Sequence, residues 1–484
     1  MRPLRSALLG AGMPLVAACL VAACAVGPNY KRPAFHTAPG YKEENGWKPT
    51  EPADAMSRGP WWKIFNDEVL DQLEAKIEVS NENVKAALAA YDQAKALVDQ
   101  SRAGLWPTAT ANLSRIRSAQ HGLGAISAGG VTTLNTSGET VTTNTVGVGV
   151  NWPLDIWGQI RRTVESNKAS WQSSAAALAA AKLSAQATLA TDYFELRAQD
   201  QLEKLLDDTV IAEQLSLKIT ESRYRYGVAA KADVVSAEAQ LLSSQAQQIN
   251  AKIQRAVLEH AIAVLVGAQP AELSVSPTAM RTDVPTVPAG IPSALLERRP
   301  DVAEAERKMA AANAQIGVAK AAYFPTLTLS GSDQYTSTMW SHLISLPNRA
   351  WSLGPSLAET IFDAGARGAE VRGARAAYEA NVATYRQTVL SGFQQVEDEI
   401  ATLRILEQQA VVEEQAVKAA REAELLTLNQ YKAGTVPYSS VITAQTTRLA
   451  AEETALTVLS SRLQASVALI EALGGGWSAE QLPR

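Results

Sequence analysis

Tyr224-Arg225-Tyr226-Gly227-Val228-Ala229-Ala230-Lys231-Ala232-Asp233-Val234 and Tyr431-Lys432-Ala433-Gly434-Thr435-Val436-Pro437-Tyr438-Ser439-Ser440-Val441 are two versions of one stretch. A shift of 207 positions carries Tyr224 onto Tyr431, Gly227 onto Gly434 and Val234 onto Val441. Without a gap it also carries Gly158 onto Gly365, Ala237 onto Ala444 and Gly267 onto Gly474. Upstream the shift is 218, so that Asn83 falls on Asp301, Val84 on Val302, Pro107 on Pro325 and Thr108 on Thr326. The chain is a tandem duplication whose first copy is 11 residues longer (218 minus 207) between Pro107 and Gly158.

Each copy repeats one order of elements. Asp67 to Trp106 and Asp301 to Phe324 are rich in Ala, Gln, Glu and Lys with apolar residues at helical spacing, and Pro107 and Pro325 stop them. Period-2 alternation then predicts four strands: Ala109, Ala111 and Leu113; Val146, Val148, Val150 and Trp152; Leu327 and Leu329; Trp351, Leu353 and Leu357. Between the strands, Gln120 to Thr143 and Gln334 to Asn348 read as Ser/Gly/Thr-rich loops. After the second strand of each copy comes an unbroken helical pattern, 67 residues from Ile160 to Tyr226 and 68 from Ala366 to Ala433, with no proline in either. At about 1.5 Å per residue each would reach roughly 100 Å, more than a globular domain uses. A shorter helix follows each break, Lys231 to Leu265 and Ser439 to Leu473, ended by Gly267 and by Gly474-Gly475-Gly476.

Composition narrows the class. Of 484 residues, 46% are hydrophobic and 19% charged, which supplies a core and excludes a disordered chain. The charge of 44 minus 49, or -5, comes with no dense run of cations, which argues against a nucleic-acid partner. The chain opens Met1-Arg2-Pro3-Leu4-Arg5 and continues apolar from Ala7 to Ala23, the layout of a secretory signal peptide. Val21-Ala22-Ala23-Cys24 resembles a bacterial lipobox, and the only two cysteines, Cys19 and Cys24, lie here. Cys24 is therefore expected to become a lipidated N-terminus, with no disulfide downstream. No later segment offers the roughly 18 apolar residues of a transmembrane helix, so a membrane span would have to be made of strands.

On those strands one face is Val, Leu and Trp and the other Thr, Ser, Asn and Gly, as in a barrel wall with lipid outside and water inside. A soluble half-buried sheet would show the same alternation. What favours the membrane is the placement of Trp106, Trp152, Trp157, Tyr323, Phe324, Trp351 and Phe362 in or beside the strands, where interface girdles require aromatics. Four strands cannot close such a barrel, since the smallest have about eight, so several chains must share one. Two to four protomers satisfy an even total, and the residues alone leave that count open. A soluble coiled-coil rod is the structural alternative.

Cys24-Ala25-Val26-Gly27-Pro28-Asn29-Tyr30, Trp61-Trp62 with Phe65 and Leu70, Glu297-Arg298-Arg299-Pro300-Asp301-Val302, Tyr323-Phe324-Pro325 and Leu473-Gly474-Gly475-Gly476-Trp477 together resemble the outer-membrane efflux proteins of the TolC and OprM type, lipoprotein branch. The resemblance covers essentially the whole mature chain. It implies a membrane α+β fold: a homotrimer whose 12-stranded transmembrane β-barrel, four strands per chain, continues into a long periplasmic α-helical barrel. It also implies a periplasmic adaptor protein and an inner-membrane efflux pump as partners, and passive export of small molecules. On this reading the chain divides into a signal peptide over 1–23 and a lipid-anchored segment over 24–66. A first repeat over 67–267 holds the hairpin 107–157, and a linker spans 268–292. A second repeat over 293–474 holds the hairpin 325–363, and a tail spans 475–484. The alternative function is a non-conducting structural lipoprotein rod.

Nothing points to catalysis or to a metal or other cofactor beyond the lipid on Cys24. His36, His121, His260 and His342 stand alone, and the glycines at Gly474 follow a helix and lack the Lys-Ser/Thr of a phosphate loop. Glu297 to Asp301 reads as a helix start, with Pro300 in the first turn and Asp301 and Glu304 complementing the dipole. The informative positions are at the break between long and short helices, where the resemblance implies a periplasmic gate closed by an aspartate of the first repeat and a tyrosine of the second. Those are Asp233 and Tyr431. Where relatives add acidic residues in the second repeat, this chain has Ser440 and Thr443, and an arginine that some place past the glycine is Val436.

Overall fold

Proline and glycine punctuation gives both repeats the same path through helix, strands, long helix and short helix. The computed structural model describes residues 25–35, 38, 40–44, 59–121, 124–128, 131–135, 138–287 and 297–484. The expected signal peptide, Cys24, His36 and the 288–292 end of the expected linker lie outside the described residues. The first repeat contains α1 (Glu68–Ser80), α2 (Glu82–Ala103), β1 (Thr108–His121), β2 (Gly124–Ala128), β3 (Val131–Asn135), β4 (Gly138–Leu154), α3 (Gln159–Arg225) and α4 (Lys231–Leu265). The second contains α5 (Pro300–Ala321), β5 (Thr326–Ser337), β6 (Arg349–Ala358), α6 (Ala366–Lys432) and α7 (Tyr438–Ala472). Both long helices have 67 residues. Among the described residues no helix is long and apolar enough to cross a membrane.

The sequence pattern misplaces two features. The first helix breaks at Asn81, whose side-chain Oδ1 accepts from Val84 N–H at 3.0 Å and starts a new helix. The strands also run further than alternation predicted, since β4 begins at Gly138 and β5 continues to Ser337, inside the stretches read as loops. Within the first of those stretches β2 pairs with β3. Thr140, Thr142 and Thr143 favour extended backbone through β-branching, but they are polar on both faces, so period-2 hydrophobicity does not reveal them.

The chain forms two compact units. Among the described residues, one contains 25–32, 93–171 and 307–382. Its centre is a four-stranded antiparallel sheet in the order β1-β4-β5-β6. The register sets Ala109, Val150, Gly331 and Leu353 side by side, and Ala111, Val148, Asp333 and Trp351 in the next row of the same face. The other face carries Thr108, Asn151, Ser330 and Gly354, then Thr110, Gly149, Ser332 and Ser352. Leu113, Val148, Val150, Trp351, Leu353 and Leu357 are exposed in the single chain, an apolar surface that water does not favour. At the sheet's ends Trp152 Nε1 donates to the Leu105 carbonyl at 2.9 Å and Trp157 Nε1 to the Pro325 carbonyl at 2.8 Å. Trp157 also stacks on Phe324, with centroids 4.7 Å apart. These aromatics thus lock helix ends to strand starts as well as edging the apolar face. Asp155 accepts from the N–H groups of Ile160 and Arg161, and Asp363 from those of Gly365 and Arg367, satisfying the first turn of each long helix.

The second unit contains residues 33–92, 172–306 and 383–484 and is built on helices. Leu70, Ile77, Leu189, Leu196, Ile262, Ile400, Leu463 and Ile470 are among its fully buried core. Asp67 caps α1 through Val69 and Leu70 N–H, and its other oxygen accepts from Tyr193 on α3 at 2.8 Å. The duplication is most evident where the short helices end. Asn81 Nδ2 donates to the Leu265 carbonyl at 2.7 Å, and Arg299 Nη1 donates to the Ala472 carbonyl at 2.8 Å. The shifts of 218 and 207 relate those donors and acceptors to each other. Just beyond, Gly267 and Gly474 hold φ of 70° and 92°. A Cβ at either would lie 2.2 Å from a backbone carbonyl oxygen, that of Ser80 or of Arg298. Glycine is required at both positions by close approach and by left-handed backbone.

Glu74 on α1 is 0% exposed, and neither of its carboxyl oxygens has a hydrogen-bond partner among the described residues. Burial pushes its pKa up to about 9, with the Asp71 carboxylate adding to the effect. Glu74 is thus neutral in the folded chain and ionised in the unfolded chain above its ordinary 4.5, so it costs stability progressively as pH rises from 4.5 toward 9. Glu74→Gln should stabilise the protein by about 1–3 kcal/mol at pH 7 and flatten the fall of its melting temperature between pH 5 and 9. Melts of the detergent-solubilised protein across that range measure it, and an unchanged slope would show that Glu74 is ionised in the fold.

Candidate functional site

The turn after α3 and the turn after α6 come together in the helical unit. Gly227 and Gly434, with φ of 73° and 79°, close the two helices, their N–H groups donating to the Tyr224 and Tyr431 carbonyls at 2.9 Å. Although the tyrosines are equivalent by sequence, Tyr224 is 46% exposed whereas Tyr431 is 3% exposed. Tyr431 packs edge-on against Tyr438, with centroids 5.1 Å apart, and Ala237 and Val441 complete the buried cluster. Tyr431 Oη donates to Thr220 Oγ1 at 3.4 Å, and Tyr438 Oη shares a hydrogen bond with Ser216 Oγ at 3.0 Å. Burial pushes the Tyr438 hydroxyl up, so it remains protonated at neutral pH.

Of the residues expected at this site, the structure brings Tyr431 into the buried cluster and leaves Asp233 half-buried at its edge. Asp233 is the third residue of α4, and its carboxylate accepts from the Ala230 N–H at 3.4 Å. Within the chain, among the described residues, Asp233 and Tyr431 do not bond to each other. Ser440, to which Asp233 is equivalent under the shift of 207, lies in the first turn of α7 and donates its backbone N–H to the Pro437 carbonyl at 3.1 Å. Thr443 is exposed and spends its hydroxyl on the Ser439 carbonyl at 3.0 Å.

Sequence reasoning missed Arg223 and Tyr438. Arg223 Cζ lies 4.8 Å from the Tyr431 ring centroid, and its Nη1 donates to the Lys432 carbonyl at 2.7 Å. One guanidinium thereby caps the C-terminus of α6 and covers the tyrosine face. The repeat could not have revealed this residue, because its equivalent position is Gln430. Tyr438 carried a signal, an aromatic side chain directly after the Pro437 break. Further along the helices Glu213 accepts from Gln240 at 3.1 Å, and Arg448 pairs with Glu424 and Glu452, each at 2.6 Å. Desolvation pushes the Glu213 carboxyl up, against hydrogen bonds from Ser244 and Gln240 and the charge of Arg448.

A sheet with one apolar and one polar face and long paired helices from two repeats define the molecule. The sequence profile of a family described as outer membrane efflux protein matches residues 75–268 and 291–475. The chain belongs to this family. Among its relatives is a probable efflux pump outer membrane protein, TtgC, of Pseudomonas putida, 29% identical over 467 residues that cover 96% of this chain and 94% of the relative. Nodulation protein T of Rhizobium leguminosarum is 31% identical, covering 98% and 94%. Among solved structures, the outer-membrane channel OprN is similar at 30% identity with a TM-score of 0.84, covering 94% of this chain and all of that one. The open-state MtrE channel of Neisseria gonorrhoeae is similar at 25% identity and a TM-score of 0.80, covering 94% and 99%.

As an outer membrane efflux protein the chain is the channel component of a tripartite efflux system and lies in the bacterial outer membrane. Its fold class is the trimeric one in which three chains of four strands each, twelve in all, form the barrel that the periplasmic helices continue. The helix-end cluster makes a local prediction. Arg223→Gln should remove a charged hydrogen bond and a cation–π contact at a cost of about 1–3 kcal/mol. Hydrogen exchange would then accelerate over residues 425–438 with the sheet unaffected; unchanged protection there would show that the helix end holds without Arg223.

Proposed function

We propose that this outer membrane efflux protein is a passive duct for small molecules whose closed end is the cluster carrying Asp233, Tyr431, Ser440 and Thr443. The observation that carries the duct is the sheet's lumen face over the rows from Thr108 to Asn112: Thr108, Thr110, Asn112, Asn151, Ser330, Ser332, Gln334 and Ser352 offer neutral hydrogen-bonding groups and no charge. Such a wall stays wet and holds no cargo tightly, which suits a conduit driven by a pump elsewhere. The named cargoes of relatives differ widely, with one protein described as a toluene efflux component and another as a cation efflux component. That range supports a duct without a cargo-specific site. The chain itself performs no chemistry on this reading.

For the gate, supporting features are the convergence of two helix turns, the buried tyrosine pair and the half-buried Asp233 beside it. On this reading Asp233 accepts a bond from a neighbouring chain's tyrosine when three copies assemble. A hydrogen bond to a charged group contributes about 1.5–3 kcal/mol where shielded, so three together could bias opening substantially. Without acids at Ser440 and Thr443, the Asp233–Tyr431 link carries more of that bias.

Single-channel recording in planar bilayers tests both parts. The wild-type trimer should conduct weakly; Asp233→Ala and Tyr431→Phe should each raise conductance, and the double variant should add little more. Absence of conductance in every form would support a structural rod, and wild-type conductance in both single variants would remove Asp233 and Tyr431 from the gate. A separate proposal concerns Cys24, expected to be the acylated first residue of the mature protein. Mass spectrometry of the native N-terminus should find it carrying lipid, and an unmodified N-terminus elsewhere would refute the anchor while leaving the duct intact.

A further inference from the structure

Over most of their length the strands carry charge on one side of the sheet only. Over residues 108–119, 140–154, 326–337 and 349–358 the charged residues are Arg115, Arg117, Asp333 and Arg349, and the register places all four on the apolar face with Leu113, Val148 and Leu353. Over those same residues the polar lumen face has none. A lipid-facing arginine is costly at mid-membrane and nearly free at the interface, so the height of these residues decides their meaning. The apolar rows begin at Leu154, Leu327 and Leu357 and end at Leu113 and Val146. From Leu154 to Val146 is about 27 Å along the strand at ~3.4 Å per residue, or roughly 20 Å of height for a strand tilted by about 40°, close to the ~25 Å apolar band of such barrels.

Arg115 lies in the row directly beyond that band, opposite Asn144, and Arg117 one row further, opposite Thr142. Both are exposed, and among the described residues neither has a hydrogen-bond partner or counter-ion. They stand about 7 Å apart on one strand face, a spacing at which two guanidinium forks can engage one phosphorylated headgroup. Arg349 differs, since Asp333 holds it in a two-bond pair of 2.9 and 2.8 Å at the last apolar rows, beside Trp351 and Tyr335. That pair neutralises itself at the girdle, whereas Arg115 and Arg117 are, among the described residues, unpaired cations at headgroup level on the side away from the lumen. These rows are at the strand ends farthest from the helices, so they face the outer leaflet.

We propose that Arg115 and Arg117 form a docking site for the phosphates of an outer-leaflet glycolipid, one site per chain on β1. Because β1 is an edge of the four-stranded sheet, each site lies at a seam of the trimeric barrel, and an occupied site would brace that seam. The inference rests on the barrel and its orientation, and not on the gate or the cargo.

The test uses the delipidated detergent-solubilised trimer and three probes: diphosphoryl lipid A, the same lipid without its phosphates, and inorganic phosphate. Lipid A should raise the temperature at which trimers dissociate and should be retained in native mass spectra. The dephosphorylated lipid and free phosphate should do neither. The Arg115→Gln/Arg117→Gln double variant should bind lipid A at least about tenfold more weakly, and Arg115→Lys/Arg117→Lys should recover part of it, while channel conductance stays that of wild type. Equal binding of the dephosphorylated lipid, full stabilisation by inorganic phosphate, or undiminished binding by the Gln variant would each overturn the proposal. Should the Gln variant fail to assemble, the wild-type comparison of phosphorylated and dephosphorylated lipid still decides it. Loss of conductance in all forms would instead count against the duct.

Discussion

An unpaired strand edge cannot face lipid. Among the described residues β1 and β6 are each bonded on one side only, and in a membrane every N–H and C=O left over on the other side would cost several kcal/mol with no water to satisfy it. Closing the sheet with further copies of the chain removes both edges at once; a shared barrel follows from that constraint, and the family sets the number of chains at three. The alternation of faces then acquires meaning, because closure turns one face wholly toward lipid and the other wholly toward water. Leu353 and Val150 are liabilities in a solvated monomer and the required surface in the barrel.

Duplication supplies the remainder of the structure with half the information. The donor at Asn81 and the donor at Arg299 do the same task on the ends of α4 and α7, although one is an amide and the other a guanidinium. Glycine is kept at Gly267 and Gly474 because a backbone carbonyl occupies the space of a Cβ in each copy. Where the copies must do different things they diverge, as at the helix ends. Tyr224 is open to solvent and Tyr431 is buried under Arg223, and Asp233 has Ser440 as its counterpart. Two equivalent turns have become one asymmetric cluster, with the polar groups of one repeat and the aromatic groups of the other.

Much of this is legible in the amino-acid sequence. The breaks at Pro107, Pro325, Gly227 and Gly434, the helix starting at Lys231 and the repeat shifts all follow from local backbone chemistry, which acts the same way in any context. The second break, at Asn81, was less visible because an asparagine inside an Ala/Gln/Glu-rich run reads as a tolerated surface residue until its side chain is seen capping. The extension of β4 back to Gly138 was hidden for a related reason, since threonines polar on both faces carry no hydrophobic period.

By itself, then, the sequence determined the duplication, the type and order of the main elements and the two-faced character of the strands, because periodicity and punctuation are properties of neighbouring residues. Only the tertiary structure decided which side chains meet across long separations. Tyr431 bonds Thr220 instead of Asp233 within the chain, Arg223 reaches Lys432, and Arg115, Arg117, Asp333 and Arg349 share the apolar face. Those outcomes depend on helix rotation and strand register, which are settled by packing over hundreds of residues and leave no mark on any short stretch.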